Sequence, residues 1–183
     1  GRFVPWKNID GIIEAVGSLT MRFPDIRLYI IGSGPERGSL EDTVKNLDLD
    51  DHVVFTGRLD HAKTLSLVKG SSTFVLNSIY EGLPHVVIEA LALGTPVVAT
   101  NIKGTNECIQ DGETGYLVTP GDGDELVEKI GLLLDDRGLC VRMITNAKER
   151  LVEHFSWKKN VTVLESLLVS LCDVKSKPHT RES

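Results

Sequence analysis

The sequence has no basic surplus: 20 lysines and arginines stand against 26 aspartates and glutamates, a net charge of -6 over 183 residues. Proteins that hold nucleic acid through its phosphates usually show the opposite balance, so nucleic acid is not an expected partner. A small anionic ligand stays open, because a few local cations suffice. Cysteine is scarce. Cys108, Cys140 and Cys172 are evenly spaced, but the surrounding sequence does not repeat and none sits in a metal-type or redox pair. Isolated cysteines suit a reducing compartment, and a cytoplasmic location is expected. No apolar run approaches the ~20 residues of a transmembrane helix, and no signal peptide is visible. There is no leading Met either. "GRFVPWKN" reads as a chain that starts inside a larger unit.

The composition is that of an ordinary globular domain, with 41% hydrophobic and 25% charged residues, and the length suffices for one sizeable core. Residues 8–22 place Ile9, Ile12, Ile13, Val16 and Leu19 on one helical face before "FPD" ends the run. Short β-branched strands are expected at 26–32, 52–57, 72–77, 95–101 and 114–120, separated by helices after "GSGP", at 61–71 and at 84–94. "GTNECIQDG" reads as one helical turn and a turn. From about residue 121 the pattern is helical, with Ser156 as the N-cap of a last helix. Strands that are continuously apolar and alternate with helices indicate an α/β fold: a Rossmann-like, doubly wound parallel sheet flanked by helices. Ligands in such sheets bind beyond the carboxyl ends of the strands. The loops to inspect are therefore those at 1–8, 32–36, 57–61, 77–84 and 101–106.

One of these loops leads into "YEGLPHVVIEAL", residues 80–91. Glu81 lies in the loop, and Pro84 opens a helix whose first turn offers N–H groups to an anion. Glu89 is inside that helix, among Val86, Val87, Ile88, Ala90 and Leu91, with no Lys or Arg three or four residues away. A carboxylate there is costly unless something holds it. The two glutamates can line one crevice, Glu81 at its rim and Glu89 on its wall, where they would accept hydrogen bonds from a hydroxyl pair such as a sugar or ribose presents. The bland alternatives are a helix-side ion pair for Glu89 and a solvated loop residue for Glu81. Arg2 and Lys7 flank the first strand end and suit phosphate oxygens, although either could be a solvated surface cation. Gly32 and Gly34 allow close backbone approach. They fail the dinucleotide fingerprint, because Arg37 stands where its third glycine belongs and "HVVFTG" ends without an acidic residue. A nicotinamide dehydrogenase is disfavoured on both counts. No metal-ligand cluster is apparent.

The segments "GRFVPWKN", "IIGSGP", "VVFTGRL", "NSIYEGLPHVVIEALALGTPVVAT" and "NECIQDGETGYLV" occur in this order. Together they resemble the C-terminal, donor-binding domain of retaining glycosyltransferases of the GT-B fold, the nearest group being family 4. The resemblance covers about residues 1–157, and its specific part is the E-x7-E motif, here Glu81 and Glu89. It implies a donor domain over 1–157 that lacks its first strand; the sequence pattern itself adds a helix at 158–172 and a polar tail at 173–183, expected to be disordered.

By position, Arg2 and Lys7 match the pair that grips the donor diphosphate. Glu81, the implied catalytic residue, matches the glutamate on the sugar hydroxyls. Gly82 and Leu83 match the loop whose amides meet the sugar and distal phosphate. Glu89 matches the glutamate on the ribose. The turn Arg58–His61, with Leu59, matches the loop beside the nucleobase, and Gly32 and Gly34 a loop near base and phosphates. Such transfer takes a UDP-, GDP- or ADP-linked sugar as donor and needs no metal or other cofactor. A polysaccharide or lipid-linked acceptor follows only from the breadth of the family.

Two departures lie near this site: Lys103 replaces a customary glycine, and His85 stands where an apolar residue or asparagine is common. His85 could reach the donor or face solvent. The acceptor-binding N-terminal domain of such enzymes is absent from these residues, so the resemblance implies a donor half that is inactive alone. Any membrane association would run through the other half. A nucleotide-sugar-binding module without catalysis, a partner subunit and a GT-B sugar-nucleotide epimerase stay open as alternatives.

Overall fold

The computed structural model describes residues 1–154. Residues Gly1–Lys148 form one compact unit, and Glu149–Ser183 a second, of which only the end of a helix falls among the described residues. The expected Ser156 N-cap, the helix at 158–172 and the tail at 173–183 lie outside them.

A 3₁₀ turn, Pro5–Lys7, leads into α1, Ile9–Leu19. Then follow β1 (Leu28–Ile31), α2 (Arg37–Asn46), β2 (Val53–Gly57), α3 (His61–Gly70), β3 (Phe74–Leu76) and α4 (His85–Leu93). The chain continues through β4 (Val97–Thr100), α5 (Thr105–Cys108), β5 (Tyr116–Val118), α6 (Gly123–Asp135) and α7 (Arg137–His154). Every element read from the sequence over this span is present, and every strand is shorter than its apolar run. The residues beyond the ladder close turns instead. All strand pairs are parallel, as continuous apolar strands predict.

The pairing differs from one continuous sheet. β1 pairs with β2, and β3, β4 and β5 form a second ladder with β4 in the middle. The edges β1 and β3 both line a cleft of about 1150 Å³ that reaches the carboxyl ends of the strands. At that end Arg2 bridges in parallel to Ser33, and the Phe3 N–H donates to the Ser33 carbonyl at 3.0 Å.

Helix α1 joins the two ladders. Its Ile13 packs with Phe3, Ile30, Leu40 and Val53, whereas its Ala15 and Leu19 pack with Val98, Val118, Leu126 and Met143. Each large aliphatic side chain removed from water contributes about 1.5–3 kcal/mol, so the isoleucine and leucine positions of the predicted face hold both cores against one helix. Central strand β4 is buried at all four positions. Helix starts follow the capping rule where an aspartate precedes them: Asp60 accepts from the Lys63 N–H at 2.8 Å and Asp122 from the Glu125 N–H at 2.9 Å. Gly94, at φ 80°, closes α4 in the left-handed conformation glycine tolerates.

Cys108 and Cys140 are both buried. Burial pushes the Cys140 thiol up, Asp136 adds to this, and its Sγ donates to the Leu133 carbonyl at 3.1 Å. Thiol reagents need the thiolate. In a Cys172→Ser variant, Ellman's reagent at neutral pH is expected to label neither thiol before unfolding. Rapid labelling of Cys140 in the native protein would show that the α6–α7 packing is open.

Candidate donor site

The site is built at the carboxyl ends of the strands, where four loops meet. The 3₁₀ turn brings Lys7 forward. Asn8, at φ 47°, redirects the chain into α1, and the Ile79 N–H donates to the Trp6 carbonyl at 2.8 Å, tying this turn to the β3–α4 loop. Asn77, buried at the end of β3, adds a bond from its Nδ2 to the Asn8 carbonyl at 3.2 Å. The two loops that carry Lys7 and Glu81 are thus held together by backbone and amide bonds.

Lys7 Nζ donates to Glu81 Oε1 in a salt bridge whose side chains are only 25% and 15% exposed. Partial withdrawal from water strengthens such a pair relative to one on the open surface. Ser78 Oγ donates to the same oxygen at 2.7 Å. Ser78 is fully buried, and its carbonyl accepts from Thr100 Oγ1. The support of Glu81 therefore runs back to β4.

Glu89 sits one helix further on. Its Oε1 is 2.9 Å from His61 Nε2. A carboxylate only accepts, so this ring nitrogen carries the proton. The two glutamates share a pattern: protein groups hold Oε1, and among the described residues neither Oε2 takes a hydrogen bond. Each can still accept from a ligand hydroxyl. The start of α4 is also open to an anion. Its N-cap is Pro84, no side chain caps it, and its first turn holds no acidic residue.

Of the residues singled out in the sequence, Arg2, Lys7, Gly32, Arg58, Leu59 and Glu89 line the cleft between β1 and β3. Glu81 joins them through Lys7. Gly82 and Leu83 are exposed beside it, and His85 is exposed at the first position of α4. Arg58 Nε donates to Ser33 Oγ at 2.7 Å, joining the β2–α3 loop to the glycine loop. Gly34 has a packing reason: a Cβ there would lie 2.3 Å from the Phe3 carbonyl oxygen, so the glycine admits the neighbouring backbone. His61, the partner of Glu89, lies 28 residues away on another helix, outside the spacing of three or four residues that marks partners on one helix. Among the described residues no cluster of three His, Cys, Asp or Glu side chains could hold a metal ion, and no helix is long and apolar enough to cross a membrane.

A family model described as glycosyl transferases group 1 matches residues 1–150. The chain belongs to this glycosyltransferase family. The α-D-kanosaminyltransferase of Streptomyces kanamyceticus is 37% identical over 147 residues, which is 80% of this chain and 38% of that protein. Among solved structures, TarM of S. aureus, described as a complex with fondaparinux, α-GlcNAc-glycerol and UDP, superimposes with a TM-score of 0.83 at 27% identity; the match covers 92% of this chain and 33% of that one. The C-terminal domain of the group 1 glycosyl transferase LpcC from Francisella tularensis gives 0.78 at 28% identity, covering 86% of this chain and 84% of that domain. The group 1 chain thus has the Rossmann-like architecture of a GT-B glycosyltransferase domain. It spans less than half the length of the curated relatives it matches.

Proposed function

We propose that this chain is the donor-binding half of a retaining glycosyltransferase that uses a nucleoside-diphosphate sugar. The observation that carries the reading is the matched pair of carboxylates, each held by one oxygen and each with the other oxygen able to accept. In this reading Glu89 takes the ribose hydroxyls, and Arg58 and Leu59 flank the base. Arg2, Lys7 and the N-terminus of α4 face the diphosphate. Glu81 takes the sugar hydroxyls and is held in place by Lys7 and Ser78.

The chemistry follows from charge. Cleavage of the bond between sugar and diphosphate leaves negative charge on the departing oxygens. Fixed cations and helix-end amides stabilise that charge most effectively in a site that excludes water. With Arg2, Lys7 and α4 in that role the reaction requires no metal ion. UDP is one fitting product, since TarM is described with UDP bound; GDP and ADP share the diphosphate and ribose that these residues address. The acceptor is held by parts of the protein outside this chain, which alone binds donor without turning it over.

The test uses a protein that contains this chain together with the rest of its polypeptide. Incubated with the sugar nucleotide it binds, it should release or transfer the sugar with its anomeric configuration kept, read by proton NMR at early times. Initial formation of the opposite anomer would overturn the retaining reaction.

A further inference from the structure

We propose that His61 is a positioning residue that fixes the carboxylate of Glu89 for the ribose; this rests on the donor-binding reading above. Glu89 is the second glutamate of the motif, and nothing on its own helix holds it. Its neighbours three and four positions away are Val86, His85, Ala92 and Leu93. An unsupported glutamate would keep its rotamer freedom and lose it only on binding, which weakens the complex.

His61 supplies the support from a different element. Gly57, at φ 71°, ends β2, and Asp60 then caps α3, so His61 is the first residue of that helix and follows the cleft-lining Arg58 and Leu59. The far ends of the same two helices are joined as well. Thr95 follows α4, and its buried Oγ1 donates to the Val68 carbonyl of α3 at 2.8 Å. That bond and the packing of α3 on α4 fix the spacing of the helices. The 2.9 Å contact between His61 Nε2 and Glu89 Oε1 then sets where the carboxylate points.

Position rather than burial separates this from an incidental surface pair. His61 is 69% exposed and its partner Glu89 only 35%. The carboxylate that the imidazole bonds also lines the cleft. With Oε1 held, the two lone pairs of the remaining oxygen are presented to the ribose hydroxyls. The same loop braces the site a second time, through Arg58 and Ser33.

The experiment is calorimetry of the protein with UDP, GDP and ADP and with the 2′,3′-dideoxy form of the nucleotide that binds. It compares His61→Ala, His61→Gln, Glu89→Gln and the double variant His61→Ala/Glu89→Gln. Restoring the rotamer freedom of Glu89 should weaken the ribonucleotide about threefold to tenfold and leave the dideoxynucleotide unchanged. His61→Gln keeps a donor and should recover most of the loss. His61→Ala should cost nothing further once Glu89 is Gln. Equal weakening of the ribo and dideoxy forms, or additive losses in the double variant, would overturn the proposal.

A second readout needs no ligand. Glu89→Gln should move the imidazole nitrogen resonances of His61 in the free protein, and unmoved resonances would overturn the pairing itself. If the resonances move but the parent protein binds no nucleoside diphosphate, the donor-binding reading has failed and the positioning role falls with it, while the pair stands.

Discussion

Glu89→Ala should weaken binding of a nucleoside diphosphate by about a hundredfold and leave the protein as stable as before. The binding loss is the removal of two hydrogen bonds from ribose hydroxyls to a charged acceptor, each worth about 1.5 kcal/mol, which together correspond to about two decades in Kd. Stability should not follow. The Glu89 side chain is 35% exposed, its bond is to a largely exposed histidine, and alanine is the better helix former at that position. Isothermal calorimetry and urea unfolding on the same preparation separate the two effects. A variant that binds normally would remove Glu89 from the site. One that loses binding and stability together would make it a structural residue of α4.

Gly104→Ala should do the reverse and cost both. Gly104 stands before α5 at φ 99°, outside the range an L residue adopts without strain. A Cβ there would fall 1.9 Å from the Gly82 carbonyl oxygen. That atom belongs to the loop that carries Glu81, so relief means moving the donor loop. Strain and overpacking together should lower stability by about 3 kcal/mol. Donor affinity should fall as well, although residue 104 need not touch the ligand. Gly112→Ala is the control. Its φ is 73°, but a Cβ there meets nothing within 4 Å, so it should cost only about 1 kcal/mol and leave binding intact. Equal effects at 104 and 112 would show that the contact with Gly82 carries no weight.

The order of elements was legible because each strand is an apolar run too short to be a helix, and each helix carries a periodic face or a terminal signal. Pro84 and Gly94 bracket α4 to within a residue. The two glutamates stood out because an apolar helix and its entry loop have no packing use for them. What holds them was not legible. Lys7 reaches Glu81 across 74 residues and His61 reaches Glu89 across 28, and no local pattern reports a contact at such separations. Gly34 shows the same limit from the other side. Its missing side chain could have served a ligand or a neighbouring strand, and only the position of Phe3 shows the second use. The break between the two ladders was hidden too, because each strand reads as a short apolar run whichever edge it forms.

The central claim is that these residues bind the diphosphate and ribose of a sugar donor. It is tested most directly by calorimetric titration of the chain with UDP, GDP and ADP in a buffer containing EDTA. Saturable binding of at least one of them is expected, at one site per chain, undiminished by the chelator. No heat with any of the three, with or without divalent metal, would contradict it.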